Sequence, residues 1–191
     1  GIELVGIGER HGDAEVLLLA IEALQALSLT DAVVHVGSHA LVSACAAEAA
    51  VDAETLADLL RRRAFHEPVM EELSPALREL TGFIGGHTDF VTRFDGAEPI
   101  STEVRSAVAE LSRVVELVEE IVPDAWKHRL RVDVSELGAY HYYTGIAFSA
   151  YIPNSNAAVL RGGRYDRLLQ AFGFDAPSVG FSLFTRKLPS S

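Results

Sequence analysis

Apolar residues near the start of the chain recur at helical spacing. A short apolar stretch that includes Ile2 predicts an opening strand and is followed by a glycine-containing turn. The pattern over 14–27 then predicts an amphipathic helix with Asp13 as its N-cap. The β-branched run Ala32–Val36 predicts a buried strand, and the alanine-rich segment 39–50 predicts a second helix.

The middle of the chain continues in helical patterns. Asp52 is expected to cap a helix that reaches Arg63, and Ser74 precedes a proline that suits the first helical position. A long helix is predicted from Ser101 to Val122, before Pro123. Its apolar positions form one stripe: Val104, Ala107, Val108, Leu111, Val114, Val115 and Val118. The region of about 50–125 is therefore expected to be a helical, insertion-like part of a single domain, 1–191, and it is the expected place for an insertion or a partner-facing surface.

After Lys127 the pattern changes to strands. Apolar residues alternate with polar ones over 130–135, which predicts a strand with one solvated face. Further strands are predicted at Tyr140–Tyr151, at Ala157–Leu160, where Gly162 and Gly163 end the strand, and at Ser178–Leu183. A short helix over Asp166–Phe172 is expected to end at Gly173. Turns of hairpin length between strands indicate an antiparallel sheet, so the fold class is α+β.

Composition narrows the function classes. The chain has 191 residues, 49% of them hydrophobic, and a formal net charge of −11. An acidic chain argues against a basic nucleic-acid-binding surface, so nucleic acid is not an expected partner. No apolar run is long enough to span a membrane and no secretory signal is present, which favours a cytoplasmic location. The one cysteine, Cys45, has apolar neighbours and is expected to be buried.

Two aromatic and glycine-rich segments, 140–145 and 161–166, are the strongest candidates for a binding site. On a strand, Tyr142 would lie on one face and Tyr143 on the other. The paired glycines let the backbone approach a ligand closely, and an aromatic wall beside them suits a small amphoteric ligand such as an amino acid. The alternative is that these tyrosines are half-buried packing residues of the sheet.

The order of these segments resembles histidyl-tRNA synthetase. Two segments follow that family's histidine-recognition motifs: Tyr142-Tyr143-Thr144-Gly145 and then Gly162-Gly163-Arg164-Tyr165-Asp166. A third segment, Val179-Gly180-Phe181, follows the start of its third motif. The opening residues 1–6 and 12–15 look like the end of the family's second class II motif and the helix after it. The resemblance covers nearly the whole chain. It implies the class II aminoacyl-tRNA-synthetase fold, an antiparallel sheet flanked by helices, without its N-terminal portion.

The departures from the synthetase pattern concern catalysis. Gly138 stands where the family has a catalytic arginine, His141 stands where it has an aspartate, and the third motif is eroded after Gly180. Adenylate formation needs positive charge against the α-phosphate, which a glycine cannot supply. The departures therefore imply that the chain has no catalytic residues.

Glu136-Leu137 followed by Tyr140-His141-Tyr142 is similar to a paralogous family, the regulatory subunit of short-form ATP phosphoribosyltransferase. That resemblance implies a subunit that the short catalytic subunit needs for activity and that confers feedback inhibition by histidine. The implied partners are the catalytic subunit, in a hetero-octamer of four and four, L-histidine, and a second copy as a dimer, with no cofactor and no metal. The histidine-binding residues carried over by position are Glu3, Tyr142, Tyr143, Gly162, Gly163 and Tyr165, with His141 and Arg164 as further candidates.

Alternatives stay open for several of these positions. Glu3 can equally be a solvated carboxylate, His141 a satisfied strand histidine, and Arg164 a structural ion pair with Asp166, which is the favoured interpretation. For the whole chain, the alternative function is a fragment of an active histidyl-tRNA synthetase that activates histidine with ATP. An RNA-binding regulator is disfavoured by the acidic charge.

Overall fold

The structure is a computed structural model that describes residues 1–8, 10–96, 100–138, 142–155 and 157–187. Its strands form one seven-stranded sheet in the order β1-β7-β6-β5-β2-β4-β3. The strands are β1 (Ile2–Val5), β2 (Val33–Ser38), β3 (Ile84–Gly85), β4 (Leu130–Asp133), β5 (Ile146–Tyr151), β6 (Leu160–Arg164) and β7 (Ser178–Leu183). The described helices are α1 (Arg10–Ala26), α2 (His39–Ala49), α3 (Ala53–Arg61), α4 (Val69–Glu72), α5 (Pro75–Thr81), α6 (His87–Phe94), α7 (Thr102–Glu119) and α8 (Asp124–Lys127), with short 3₁₀ turns at Leu168–Phe172 and Thr185–Lys187.

The sheet is antiparallel except where β4 pairs in parallel with β2. A parallel pair needs a long crossover, and the chain from α2 to α8 supplies it. The region of about 50–125 lies within this crossover. Helix α7 of this crossover packs against α1 and α2, and α6 packs against β4.

Local capping signals correctly predict where several helices begin. The side chains of Asp52, Ser74 and Ser101 accept backbone hydrogen bonds from Thr55, Leu77 and Val104, respectively. The predicted stripe of α7 is buried except Ala107, which is half-buried. Cys45 is buried as expected, and burial raises the pKa of its thiol to about 12. No helix among the described residues is both long and apolar enough to cross a membrane.

The predicted N-cap of the first helix is wrong. Helix α1 begins at Arg10, and Gly12 lies inside it, where its missing Cβ leaves room for Ile7. The buried carboxylate of Asp13 instead accepts a 2.7 Å hydrogen bond from Nε of Arg164 on β6. A partner 151 positions away therefore decides the role of Asp13.

Three strand predictions also need correction. The strand predicted at Tyr140–Tyr151 begins only at Ile146, so Tyr142 and Tyr143 precede it. Tyr140 lies outside the described residues. The glycine pair lies within β6 rather than at its end, because β6 pairs with β5 and β7 through both glycines. The expected solvated face of β4 fails at Asp133, which is fully buried and ion-paired with Arg63.

Substitution of Gly162 tests the packing inside β6. An added Cβ would overlap the ring of Phe148 and lie 2.6 Å from the carbonyl oxygen of Gly180. We expect Gly162→Ala to lower the free energy of unfolding by roughly 1–3 kcal/mol, measured by urea denaturation. The matched control is Gly86→Ala, where the nearest atom outside the adjoining residues is 3.8 Å away; it should cost less than about 1 kcal/mol. Equal losses in both variants would contradict this packing.

The pH dependence of stability tests the buried pair of Asp13 and Arg164. Burial raises the pKa of Asp13 to about 6, although the charge and the hydrogen bond of Arg164 oppose the rise. The folded protein therefore holds this proton more tightly than the unfolded chain, whose aspartates titrate near about 4. The stability contributed by this group is present below about pH 4 and is lost as the pH rises through 6.

We expect the unfolding free energy of the wild type, measured relative to that of Asp13→Asn, to fall by about 1–3 kcal/mol between about pH 4 and about pH 7. Urea denaturation of both proteins at the two pH values measures this difference. A relative stability that is flat, or that rises with pH, would contradict the raised pKa.

Candidate ligand-binding site

A row of small residues crosses five strands of the sheet. Gly37 on β2 is in register with Ala147 on β5, Ala147 with Gly163 on β6, and Gly163 with Gly180 on β7. The row ends at Glu3 on β1, which is in register with Gly180. Residues in register share a face of the sheet, so this face is smooth for four strands and carries a carboxylate at its edge.

The carboxylate of Glu3 lies directly over Gly180, in the space that a Cβ would occupy there. Partial burial raises the pKa of Glu3 above its ordinary value, and the positive charge of the chain's N-terminal amino group opposes this rise. A carboxylate at the end of a smooth floor can accept hydrogen bonds from a ligand ammonium or imidazole N–H.

The ring of Tyr143 packs against the same face of the sheet. Its edge atoms come within 2.7 Å of where a Cβ of Gly163 would lie and 2.6 Å of where a Cβ of Gly138 would lie. Tyr142 and Tyr165 complete an aromatic cluster, with ring centroids 5.0 Å and 6.4 Å from that of Tyr143 and 5.6 Å from each other. Tyr142 and Tyr143 contact each other because they precede β5 and do not alternate across it.

The structure brings most of the predicted residues to one region. The cluster of Tyr142, Tyr143 and Tyr165 lies beside Gly163, and Glu3 lies at the end of the same row. Gly162 differs, because its missing side chain faces Phe148 in the hydrophobic core, on the opposite side of the sheet. His141 lies outside the described residues.

Arg164 is buried in an ion-pair network. It donates from Nη1 to Asp166 at 2.9 Å, from Nε to Asp13 at 2.7 Å, and from both Nη atoms to the carbonyl oxygen of Ile7 at 3.1 Å. The favoured ion pair with Asp166 is therefore confirmed, and Asp13 is an additional partner. This network holds the start of α1 against the strand that carries Gly163 and leads into Tyr165.

The backbone at Gly138 has a φ of +64°. This left-handed conformation disfavours any residue with a Cβ, and the ring of Tyr143 occupies the space into which that Cβ would project. An arginine at this position would therefore require both the backbone and Tyr143 to move. Gly138 and the packing of Tyr143 are therefore parts of the same local structure.

Sequence reasoning missed two buried carboxylates on this side of the molecule. Glu136 accepts hydrogen bonds from the Gly138 N–H at 3.2 Å, the Ser149 hydroxyl at 3.0 Å and the Tyr151 hydroxyl at 2.9 Å. Burial, together with the charge of Glu136, raises the pKa of Tyr151 to about 12, so the hydroxyl stays a donor. The signal that could have indicated this is Glu136 between Ser135 and Leu137, directly after the strand pattern of 130–135.

Asp133 is the second carboxylate. It accepts from Arg63 at 2.6 Å, from His35 at 2.8 Å and from the Ser135 hydroxyl at 2.7 Å. Burial alone would raise the pKa of Asp133, but the hydrogen bonds from His35, Arg63 and Ser135 outweigh burial and hold it below its usual range. This cluster fixes the segment that leads from β4 to Gly138.

A cavity of about 290 Å³ lies on another side of Tyr143. Polar and charged side chains account for most of its lining: His39, Ser43, Glu54, Arg61, Tyr143, Thr144 and Arg167. Nε2 of His39 contacts the carbonyl oxygen of Leu137 at 2.7 Å. Within the described ranges, no group of three or more His, Cys, Asp or Glu side chains is placed to hold a metal ion.

Comparisons with known proteins identify the family. The family description of histidyl-tRNA synthetase matches residues 1–188. The ATP phosphoribosyltransferase regulatory subunit of Moorella thermoacetica is 32% identical over 98% of this chain and 50% of its own length. The chain spans about half the length of the curated relatives it matches.

Solved structures share the fold. An ATP phosphoribosyltransferase regulatory subunit/histidyl-tRNA synthetase from Bacillus halodurans C aligns with a TM-score of 0.81 at 24% identity, over 98% of this chain and 52% of that one. The ATP phosphoribosyl transferase (HisG:HisZ) complex from Thermotoga maritima aligns with a TM-score of 0.66 at 18% identity, over 95% and 63%. These likenesses confirm the class II synthetase-like sheet flanked by helices. The chain therefore belongs to the histidyl-tRNA synthetase family, and the curated relatives to which it is similar are named ATP phosphoribosyltransferase regulatory subunits.

Proposed function

We propose that this protein is a non-catalytic regulatory subunit of short-form ATP phosphoribosyltransferase, which catalyses the first step of histidine biosynthesis, and that it makes the catalytic subunit sensitive to histidine. One observation carries the proposal. The aromatic cluster on the smooth sheet face is complete, while Gly138 has a left-handed backbone covered by Tyr143. The pocket for an amino acid is kept, and the cation needed for its activation is lost.

Histidine would bind with its imidazole beside Tyr143 and Tyr165, whose hydroxyl groups offer hydrogen-bond partners. Glu3 would hold the α-ammonium group, since a carboxylate pairs strongly with it. Gly163 would let the backbone approach the ligand. Gly162 would contribute indirectly by letting Phe148 pack beneath the strand. Glu3 and Gly163 lie on strands of the sheet, and the tyrosines lie next to strand ends, which suits a sensor that must discriminate one small ligand.

The partners follow from the relatives' names and the family resemblance. The protein would assemble with the short catalytic subunit as a hetero-octamer of four and four, self-associate as a dimer, and act in the cytoplasm. Feedback inhibition requires that histidine bind one state of the assembly better than another. A typical coupling corresponds to roughly a 5–150-fold change in affinity.

Reconstitution tests this proposal. Adding the full-length protein to a short catalytic subunit should produce a stable complex and raise its ATP phosphoribosyltransferase activity at least about tenfold. Histidine should then inhibit the complex but not the catalytic subunit alone, because only this chain offers the aromatic pocket. Gel filtration and a steady-state assay measure these outcomes. If the two proteins do not associate and the activity is not stimulated, the proposal is contradicted.

Substitution of Tyr143 tests the pocket itself. Its ring is only 7% exposed and covers Gly163, so Tyr143→Ala should weaken histidine binding at least about tenfold. Isothermal titration calorimetry on the full-length protein measures the affinity. Phe174→Ala removes an aromatic ring that is 67% exposed and should leave the affinity unchanged. Equal affinities of wild type and Tyr143→Ala would exclude Tyr143 from the site.

A further inference from the structure

Three arginines converge on a second cavity beside Gly138. Arg61 ends α3, Arg63 follows it, and Arg161 lies on β6. Together with Ser135, Glu136, Leu137, Gly138 and Tyr151 they line a cavity of about 270 Å³. This cluster of positive charge is a local feature, because the whole chain is acidic, with a net charge of −11.

The positive charges in this cavity are only partly balanced. Arg63 is paired with the buried Asp133 at 2.6 Å. Arg61 and Arg161 make no ion pair with any described residue. Glu136, the one carboxylate of the lining, accepts hydrogen bonds from uncharged donors. Two guanidinium groups therefore face one carboxylate, which leaves a surplus of positive charge.

Arg61 has orphaned donors. Its Nε and Nη1 atoms are buried and have no hydrogen-bond partner among the described residues. A buried donor without an acceptor costs roughly 1–3 kcal/mol, and more when it is charged. Native structures avoid this cost unless something else supplies the acceptor. An oxyanion in the cavity would supply it, because phosphate and carboxylate oxygens match the planar fork of a guanidinium group.

Arg61 also connects this cavity to the aromatic region. It lines the cavity of about 290 Å³ together with Tyr143, and it lines the cavity of about 270 Å³ together with Gly138. The guanidinium group thus lies next to the position at which a cation is absent from the motif. Unlike an arginine at 138, it approaches from α3 and demands nothing of the left-handed backbone there.

We propose that Arg61 and Arg161 form a binding site for a small oxyanion, a phosphate or a carboxylate group, beside Gly138. Arg63 is held by Asp133 and Ser135 and shapes the wall of the cavity. The neutral donors around Glu136 keep that carboxylate turned toward Ser149 and Tyr151. The site does not need the catalytic subunit; where its oxyanion is the carboxylate of histidine, it rests on the proposed function.

Titration of the full-length protein with inorganic phosphate and with malonate, at an ionic strength held constant with chloride, tests the site. We expect saturable binding of at least one of the two anions by calorimetry. Arg61→Gln and Arg161→Gln should each weaken it at least about tenfold. The matched control is Arg62→Gln, which removes the same charge one position away, where the side chain is 59% exposed and paired with Asp58.

Arg62→Gln should bind within about twofold of the wild type. The proposal is overturned if neither anion binds beyond the effect of chloride, or if Arg62→Gln loses as much affinity as Arg61→Gln. Thermal unfolding in anion-free buffer checks that the variants are folded. Because two nitrogens of Arg61 have no partner among the described residues, Arg61→Gln should unfold at or above the wild-type temperature.

A second comparison identifies the source of the oxyanion. L-Histidine has a carboxylate that L-histidinol lacks. If the site binds that carboxylate, Arg61→Gln should weaken the binding of histidine but not of histidinol. Phosphate should then compete with histidine. A site for a separate phosphate predicts that phosphate binds to the histidine complex with unchanged affinity and still depends on Arg61. If Arg61→Gln weakened the binding of histidinol alone, the oxyanion could be neither the carboxylate of histidine nor a separate phosphate.

Discussion

Four positions in register across the sheet carry no side chain larger than a methyl group, and the geometry of the candidate site depends on this. This floor, a smooth sheet face, is formed by Gly37, Ala147, Gly163 and Gly180. Tyr143 and Glu3 pack against it. A Cβ at Gly163 would displace the tyrosine ring, and one at Gly180 would displace the carboxylate. The floor therefore fixes both the aromatic wall and the acidic edge, because interiors at this density cannot absorb an extra methyl group without movement.

Buried ion pairs hold the elements that carry this floor in place. Arg164 connects β6 to α1 through Asp13, and Asp133 connects β4 to the crossover through Arg63. Both side chains of the Asp13–Arg164 pair are buried, so loss of one partner there is expected to cost about 3–5 kcal/mol, whereas Arg63 is partly exposed beside the buried Asp133. The charged residues near the pocket thus serve the architecture, while Arg61 and Arg161 have no such partner among the described residues.

Local chemistry explains which features could be predicted from the sequence. The caps at Asp52, Ser74 and Ser101 depend on neighbours three residues away, and the motifs correctly placed Tyr143 and Tyr165 together. Long-range partners explain the failures, since Asp13 and Asp133 owe their burial to arginines 151 and 70 positions distant. The face of Gly162 depends on strand register, and Arg61 joins the site from the crossover, which no motif marks.

Histidine-dependent exchange of pyrophosphate into ATP by the full-length protein tests the central claim most directly. That claim is that the chain keeps an amino-acid pocket without the means to activate the amino acid. The account predicts that exchange stays at background with saturating histidine and ATP, because the left-handed Gly138 under Tyr143 offers no cation to the α-phosphate. Exchange that requires histidine and rises above background would contradict it and would identify an active histidyl-tRNA synthetase.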